Sequence, residues 1–153
     1  RGDLFLYRFV GEDALMWGAE GTWELHLSSA LATDGSVSFV RGRIDDGEDL
    51  PAMPPLQGKA GLRWQARPNL EGRIASCFAT EQGRPGPFEN PTDGYVVLDL
   101  SASWHRTGFG LLHTLSVSVD NVLDTTYRRH LNRVRQIMPE PGRNLRILHK
   151  AFF

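Results

Sequence analysis

From Leu115 to Asp120 the chain reads Leu-Ser-Val-Ser-Val-Asp, apolar and polar in strict alternation. That is the period of a strand with one apolar and one polar face. Residues 95–104 repeat it, with Val96, Leu98, Leu100, Ala102 and Trp104 set against Tyr95, Asp99, Ser101 and Ser103. Residues 59–66 alternate Ala60, Leu62, Trp64 and Ala66 with Lys59, Arg63 and Gln65, and residues 31–41 set Leu31, Thr33, Val37 and Phe39 against Asp34, Ser36 and Ser38. An odd-numbered stripe from Phe5 to Leu27 predicts one long strand, or two if Gly11 interrupts it, with residues 4–10 as the separate piece. Weaker alternation covers 72–81, and a last strand runs from Arg143 through Leu145, Ile147, His149 and Ala151 to Phe153.

The connections between these strands alternate in length. Those at 28–30, 67–71 and 105–110 are short, and Pro68 and Asn69 supply turn geometry in the second. Those at 42–56, 82–94 and 121–142 are long; the first is acidic and Pro-rich, the second rich in Gly and Pro, and the third carries several Arg. The expected fold is therefore all-β, an antiparallel meander of about seven long strands with every long loop at one end. Membrane barrels have this rhythm of short turns at one rim and longer loops at the other, whereas a soluble sandwich has no reason to sort its loops. Trp23 and Trp104 fall near short turns, where an interfacial aromatic girdle belongs.

Composition narrows the classes. The 153 residues suit one domain, and 41% apolar content is too high for disorder. No run approaches the ~20 apolar residues of a membrane helix, but barrel strands need none, because only alternate residues face lipid. A net charge of −1 argues against nucleic acid as a partner. Cys77 is alone, which excludes a disulfide framework and a cysteine metal site. The start Arg1-Gly-Asp3, without Met or a secretory leader, reads as a piece of a longer chain.

Candidate chemistry is sparse. No phosphate loop, nucleophile elbow or zinc spacing is present, so no catalytic, cofactor or metal residue is assigned and an enzyme is not expected. His26, His105, His113, His130 and His149 are scattered, and parity places His149 at an interface. Asp45, Asp46, Glu48 and Asp49 offer hard oxygens to a cation, or are a solvated loop, or contact nearby Arg residues. Arg128, Arg129, Arg133 and Arg135, with His130 among them, could grip an anion bidentately or pair with the acidic loop. Asp99, Ser101, Ser103, Ser116, Ser118, Asp120, Glu20 and Glu24 share the polar parity and read as interior-facing residues of a lumen.

Several segments also carry a family likeness. Residues 119–131, Val-Asp-Asn-Val-Leu-Asp-Thr-Thr-Tyr-Arg-Arg-His-Leu, resemble a segment near the end of TonB-dependent outer-membrane receptors. Pro141-Gly-Arg-Asn-Leu145 resembles their entry into the last strand, and Ala151-Phe-Phe153 their aromatic end. Residues 13–20, 50–56 and 91–95 resemble further segments of that family. The resemblance implies that residues 1–153 are the carboxy-terminal portion of a bacterial outer-membrane barrel of about 22 strands, its plug and earlier strands not in this chain. It implies import of a scarce nutrient such as a ferric siderophore, haem, cobalamin or a metal ion, driven by TonB acting through the plug region.

The implied partners are outer-membrane lipid, lipopolysaccharide, the cargo, and an assembly machinery that reads Phe153; the Arg-rich loop would meet a ferric chelate or lipopolysaccharide phosphates. Two alternatives remain at this level. One is a small eight-stranded outer-membrane barrel of structural or adhesive role, with 4–10 as its extra strand. The other is a soluble β-sandwich or lipocalin-like ligand binder. The large-barrel reading expects Val96, Leu98, Leu100, Leu115, Val117, Val119, Leu145 and Ile147 on one face, and no ladder between first and last strands.

Overall fold

The computed structural model describes residues 11–45 and 47–153. Within them are seven strands: β1 (Ala14–His26), β2 (Leu31–Ile44), β3 (Gln57–Arg67), β4 (Leu70–Ala79), β5 (Tyr95–Gly108), β6 (Leu111–Asp120) and β7 (Asn144–Phe152). They lie in one sheet in sequence order, each pairing antiparallel with the next. The meander expected from the alternation is thus the observed fold. The possible strand at 4–10 falls outside the described residues.

The strand ends differ from expectation at several places, among them β4, which ends at Ala79 rather than 81, and three of the differences have a local reason. β2 continues to Ile44 because the acidic stretch folds back along it: Ile44 N donates to Glu48 O at 2.9 Å and Leu50 N to Gly42 O at 3.0 Å. β5 continues to Gly108 because His105, Arg106 and Thr107, read as a turn for their polarity, stay in register with Thr114, His113 and Leu112. The turn itself is only Phe109-Gly110, at φ 53° and 77°. Two successive positive φ values are the signature of the tight hairpin turn that matches strand twist. The turn expected at 67–71 likewise contracts to 68–69, with Arg67 facing Leu70.

Register carries the apolar parity across all seven strands. Ile74 faces Leu100, Leu100 faces Val119, and Val119 faces Leu145. Trp64 faces Leu31, and Phe39 faces Ala19. Because side chains alternate with period two, these pairings put one apolar stripe on one face of the whole sheet, and the eight residues expected to share a face do so. The opposite face carries Glu20, Glu24, Asp34, Lys59, Arg63, Arg73, Asp99, Ser101, Ser116, Ser118 and Asp120 by the same registers.

A soluble fold would cover that apolar face, and among the described residues nothing covers it. The only buried apolar residues among those described are Ala32, Ala79 and Val97, all three on the polar face's parity. Trp17, Trp64, Val96, Leu145 and Ile147 are each more than half exposed. The surface is 11639 Å², against about 7,800 Å² expected for a compact domain of this mass. The described residues form neither the second layer of a sandwich nor the closed interior of a lipocalin-like binder. Strands of 9–14 residues match the ~9–11 that a tilted strand needs to cross a bilayer. β1 and β7 are the two edges and do not pair, so the described strands do not close a barrel among themselves.

Candidate functional site

The meander gathers its long connections, residues 45–56, 80–94 and 121–143, at one end of the sheet. The third is tied at its root by Asn121. That residue is 3% exposed and sits at φ 51°, a left-handed backbone that Asn tolerates better than most residues. Its amide N donates to Asp99 Oδ1 at 2.8 Å, its side chain exchanges two hydrogen bonds with Thr125 at 2.9 Å each, and Nδ2 reaches Pro141 O at 3.3 Å. Asp124 Oδ1 accepts from Arg143 N at 2.9 Å, and a Cβ on Gly142 would come within 3.0 Å of that same oxygen. Asn and Asp at the start of the loop thus clamp Pro-Gly-Arg at its end.

Glu89 joins all three loops. Its carboxylate accepts from Ala52 N at 3.0 Å in the first loop and from Gly86 N at 3.3 Å in its own. It stands 3.6 Å from His130 Nε2 and 4.0 Å from an Arg135 guanidinium nitrogen in the third. His130 is 4% exposed, and its Nδ1 is 3.1 Å from Thr92 Oγ1. Burial, with the Arg135 charge, pushes the His130 pKa below the usual imidazole value, against the opposing pull of Glu89. Arg135 also donates to His130 O, and Arg128 to Arg135 O.

The sequence-selected residues therefore separate. Asp49, in the first long loop, neutralises Arg41 at 3.5 Å and Arg43 at 3.9 Å on β2, so this carboxylate partners the preceding strand rather than the Arg-rich loop. Asp45 is exposed at the hairpin end, where its N donates to Asp13 O at 3.1 Å; Glu48 lends its carbonyl to the fold-back, and Asp46 is outside the described residues. Arg128 and Arg133 are exposed. Arg129 turns toward the sheet's polar face, where it lines clefts with Tyr95, Tyr127, Cys77 and Lys59. No three His, Cys, Asp or Glu side chains converge to hold a metal among the described residues. Phe153 is fully exposed past the end of β7, at the short-turn rim.

The polar face below the loops is laced with ion pairs. Arg73 on β4 grips Asp34 on β2 through two bonds, 2.6 and 2.7 Å long, reaching over Gly61 on the intervening strand. A Cβ at Gly61 would run into that guanidinium. Arg63 pairs with Glu24 at 3.5 Å and Arg146 with Asp120 at 3.0 Å. Sequence reading missed Glu89, which sits in a Gly- and Pro-rich stretch with no periodicity to flag it, and passed over Asn121 as a partner, although the resemblance includes it.

Comparison with known proteins agrees with this geometry. Residues 2–122 match the family model for the TonB dependent receptor-like β-barrel. Among solved structures, the copper transporter OprC superposes with a TM-score of 0.79 at 26% identity, over 92% of this chain and 23% of that one. The FrpB iron transporter from Neisseria meningitidis (F3-3 variant) gives 0.66 at 22% identity, over 91% of this chain and 24% of that one. A mutant of the ferric enterobactin receptor PfeA from Pseudomonas aeruginosa gives 0.64 at 19%, over 91% and 22%. The chain thus spans less than a quarter of each of these structures. No curated protein sequence matches it.

Proposed function

The chain belongs to the TonB-dependent receptor-like β-barrel family, and from that premise we propose that it forms the carboxy-terminal part of an outer-membrane importer for a scarce nutrient. The barrels of this family reside in the bacterial outer membrane. The observation that carries the proposal is the uncovered apolar face with no core behind it, continued in register across seven strands. In lipid that face is solvated by acyl chains, while the opposite face, charged and ion-paired, borders the lumen. Free strand edges are not tolerated in a bilayer, so β1 and β7 take further strands of the same barrel. A small barrel closed on residues 4–10 would need those residues to bridge both edges.

The cargo of this reading is a metal ion or metal chelate, as the likeness to a copper transporter supports. Transport energy comes from TonB through a plug outside this chain. In this reading Arg128, Arg129 and Arg133 of the third loop meet cargo or lipopolysaccharide, whereas His130 and Arg135 hold the loops together. Phe153, at the short-turn rim, is read by the assembly machinery. The test is membrane fractionation and uptake with the intact receptor in a host with and without TonB. The expected result is outer-membrane location and metal accumulation that requires TonB; a soluble product, or TonB-independent accumulation, rejects it.

A further inference from the structure

The apolar face changes character at the short-turn rim. Arg106 faces His113, which continues the parity of Leu115, Val117 and Val119. His149 faces Leu115. Arg67 faces Leu70, and Leu70 faces Trp104. Directly opposed residues share a face, so four basic side chains stand at the rim of the lipid-facing side. No Asp or Glu side chain of the neighbouring strand ends joins them: Glu24, Asp34 and Glu71 take the opposite parity. Arg67 and Arg106 are exposed and make no ion pair among the described residues. His113 Nδ1 lies 3.2 Å from His149 Nε2, with ring centroids 5.4 Å apart and planes 8° apart. The centroid gap exceeds the nitrogen gap by nearly two ring radii, so the rings lie tip to tip. One donates and the other accepts, and the accepting ring keeps its own N–H for a further partner.

Deeper on the same face lies a groove of about 500 Å³, lined by Trp64, Gly72, Ile74, Leu100, Ala102 and Val117. Gly72 sits between Trp64 and Ala102 on the adjacent strands. A Cβ there would meet only Trp64, at 3.9 Å, so the described fold does not require a bare position and the groove floor stays open. Ala102 and Arg106 are four residues apart, about 14 Å along a strand. That span runs from the hydrocarbon into the headgroup layer, which is about 5–8 Å deep on each side. We propose that rim and groove together seat one anionic phospholipid of the leaflet that the short turns meet. Arg106 and the accepting histidine hold its phosphate, with Arg67 about 10 Å away across two strands. One acyl chain lies over Gly72 and Ala102. An acyl chain alone needs no cations, and four basic groups without an acid favour an anionic headgroup over a zwitterionic one. A second barrel docked here by two-fold symmetry would press its own basic cluster against this one. The inference rests on the outer-membrane reading and adds a lipid partner to it.

The test is tryptophan fluorescence of the purified intact receptor in phosphatidylcholine vesicles, quenched by added brominated phosphatidylglycerol or, in parallel, brominated phosphatidylcholine. Phosphatidylglycerol should quench selectively, and the preference should fade as salt rises. Trp64→Phe should remove the selective part of the quench. Arg67→Gln and Arg106→Gln should each lower the preference about fivefold. Gly72→Phe, which fills the groove and leaves the arginines in place, should weaken phosphatidylglycerol binding. Equal quenching by the two lipids overturns the site and means that the arginines only reach for water. So does a preference that survives both arginine changes, or one that Trp64→Phe leaves intact. Quenching by neither lipid, with two receptors cross-linking through this face, gives the groove to a protein instead. If an arginine variant does not assemble, the salt dependence of the parent and Gly72→Phe decide. A receptor recovered in the soluble fraction would defeat the membrane reading itself.

Discussion

The sheet and the loop end are held together by opposite logics. In the sheet, identity matters little and parity matters greatly: Val96, Leu98 and Leu100 do the same thing, and lipid forgives a change of shape among them. At the loop end, parity is absent and identity is nearly everything. The Asn121 side chain makes three hydrogen bonds from a left-handed backbone, and Glu89 touches all three loops. A barrel can therefore drift in strand sequence while its loop junctions stay fixed by chemistry.

The largest effect should come from violating parity. Val117 faces lipid in mid-strand, and its neighbour Ser118 faces the lumen. Val117→Arg should destabilise the assembled barrel by ~2–4 kcal/mol and deplete it from the outer membrane. Ser118→Arg should be tolerated far better. Equal losses from both, measured by unfolding in phospholipid vesicles, would erase the facing assignment.

The next effect belongs to the loop end. Asn121→Ala orphans Thr125 N and two carbonyls and puts a Cβ-bearing residue at φ 51° without the local bonds that offset it. The expected cost is ~2–3 kcal/mol, local to residues 121–143. Limited proteolysis should cut that loop while the sheet stays protected. Asn121→Gly relieves the backbone but not the bonds, so it should recover only about 1 kcal/mol.

How much was legible follows the same division. Strand order, facing and the rhythm of connections were readable because a two-residue period is written in every strand and hydrophobicity alone decides it. The two ends extended too little, at Gly42–Ile44 and at His105–Gly108, failed because polar strand residues near a rim lose the contrast on which period-reading depends. The loop junction was not legible. Whether His130 meets solvent or Glu89 depends on where residues some forty positions away return, and no local pattern encodes that. Charge counting likewise suggested that the acidic and basic loops pair, whereas Asp49 reaches Arg41 and Arg43 only because its segment folds back on β2.

A pH change should separate the two regions without mutation. His130 titrates near 6.5 when its loop is unpacked and lower when packed. Between those values the unpacked state binds more protons, so loop packing is at full strength above about pH 6.5 and weakens as pH falls through that range. Hydrogen exchange in 80–94 and 121–143 should accelerate from pH 7.5 to pH 5 after correction for intrinsic rates, with β3 to β6 unchanged. His130→Gln should flatten the profile. Loops that tighten on acidification would mean that attraction to Glu89 outweighs burial and the Arg135 charge.

The smallest effect tests whether the turn rim obeys backbone rules or lipid rules. Phe109 holds φ 53°, a left-handed conformation that costs a side-chain-bearing residue ~1–2 kcal/mol, and Asn or Gly less. By that account Phe109→Asn should stabilise the hairpin. But the ring is fully exposed at the short-turn rim, and an aromatic at a rim that meets the bilayer interface gains by partitioning into the headgroup layer. The two contributions oppose each other and are of similar size. In detergent, where the interface is diffuse, Phe109→Asn should raise stability by about 1 kcal/mol. In vesicles the gain should shrink toward zero, because the lost anchoring offsets the relieved strain. A gain of equal size in both media would mean the ring never meets the interface, leaving this rim of the sheet clear of the bilayer. Destabilisation in both would mean that Phe109 packs against a part of the barrel beyond β5 and β6.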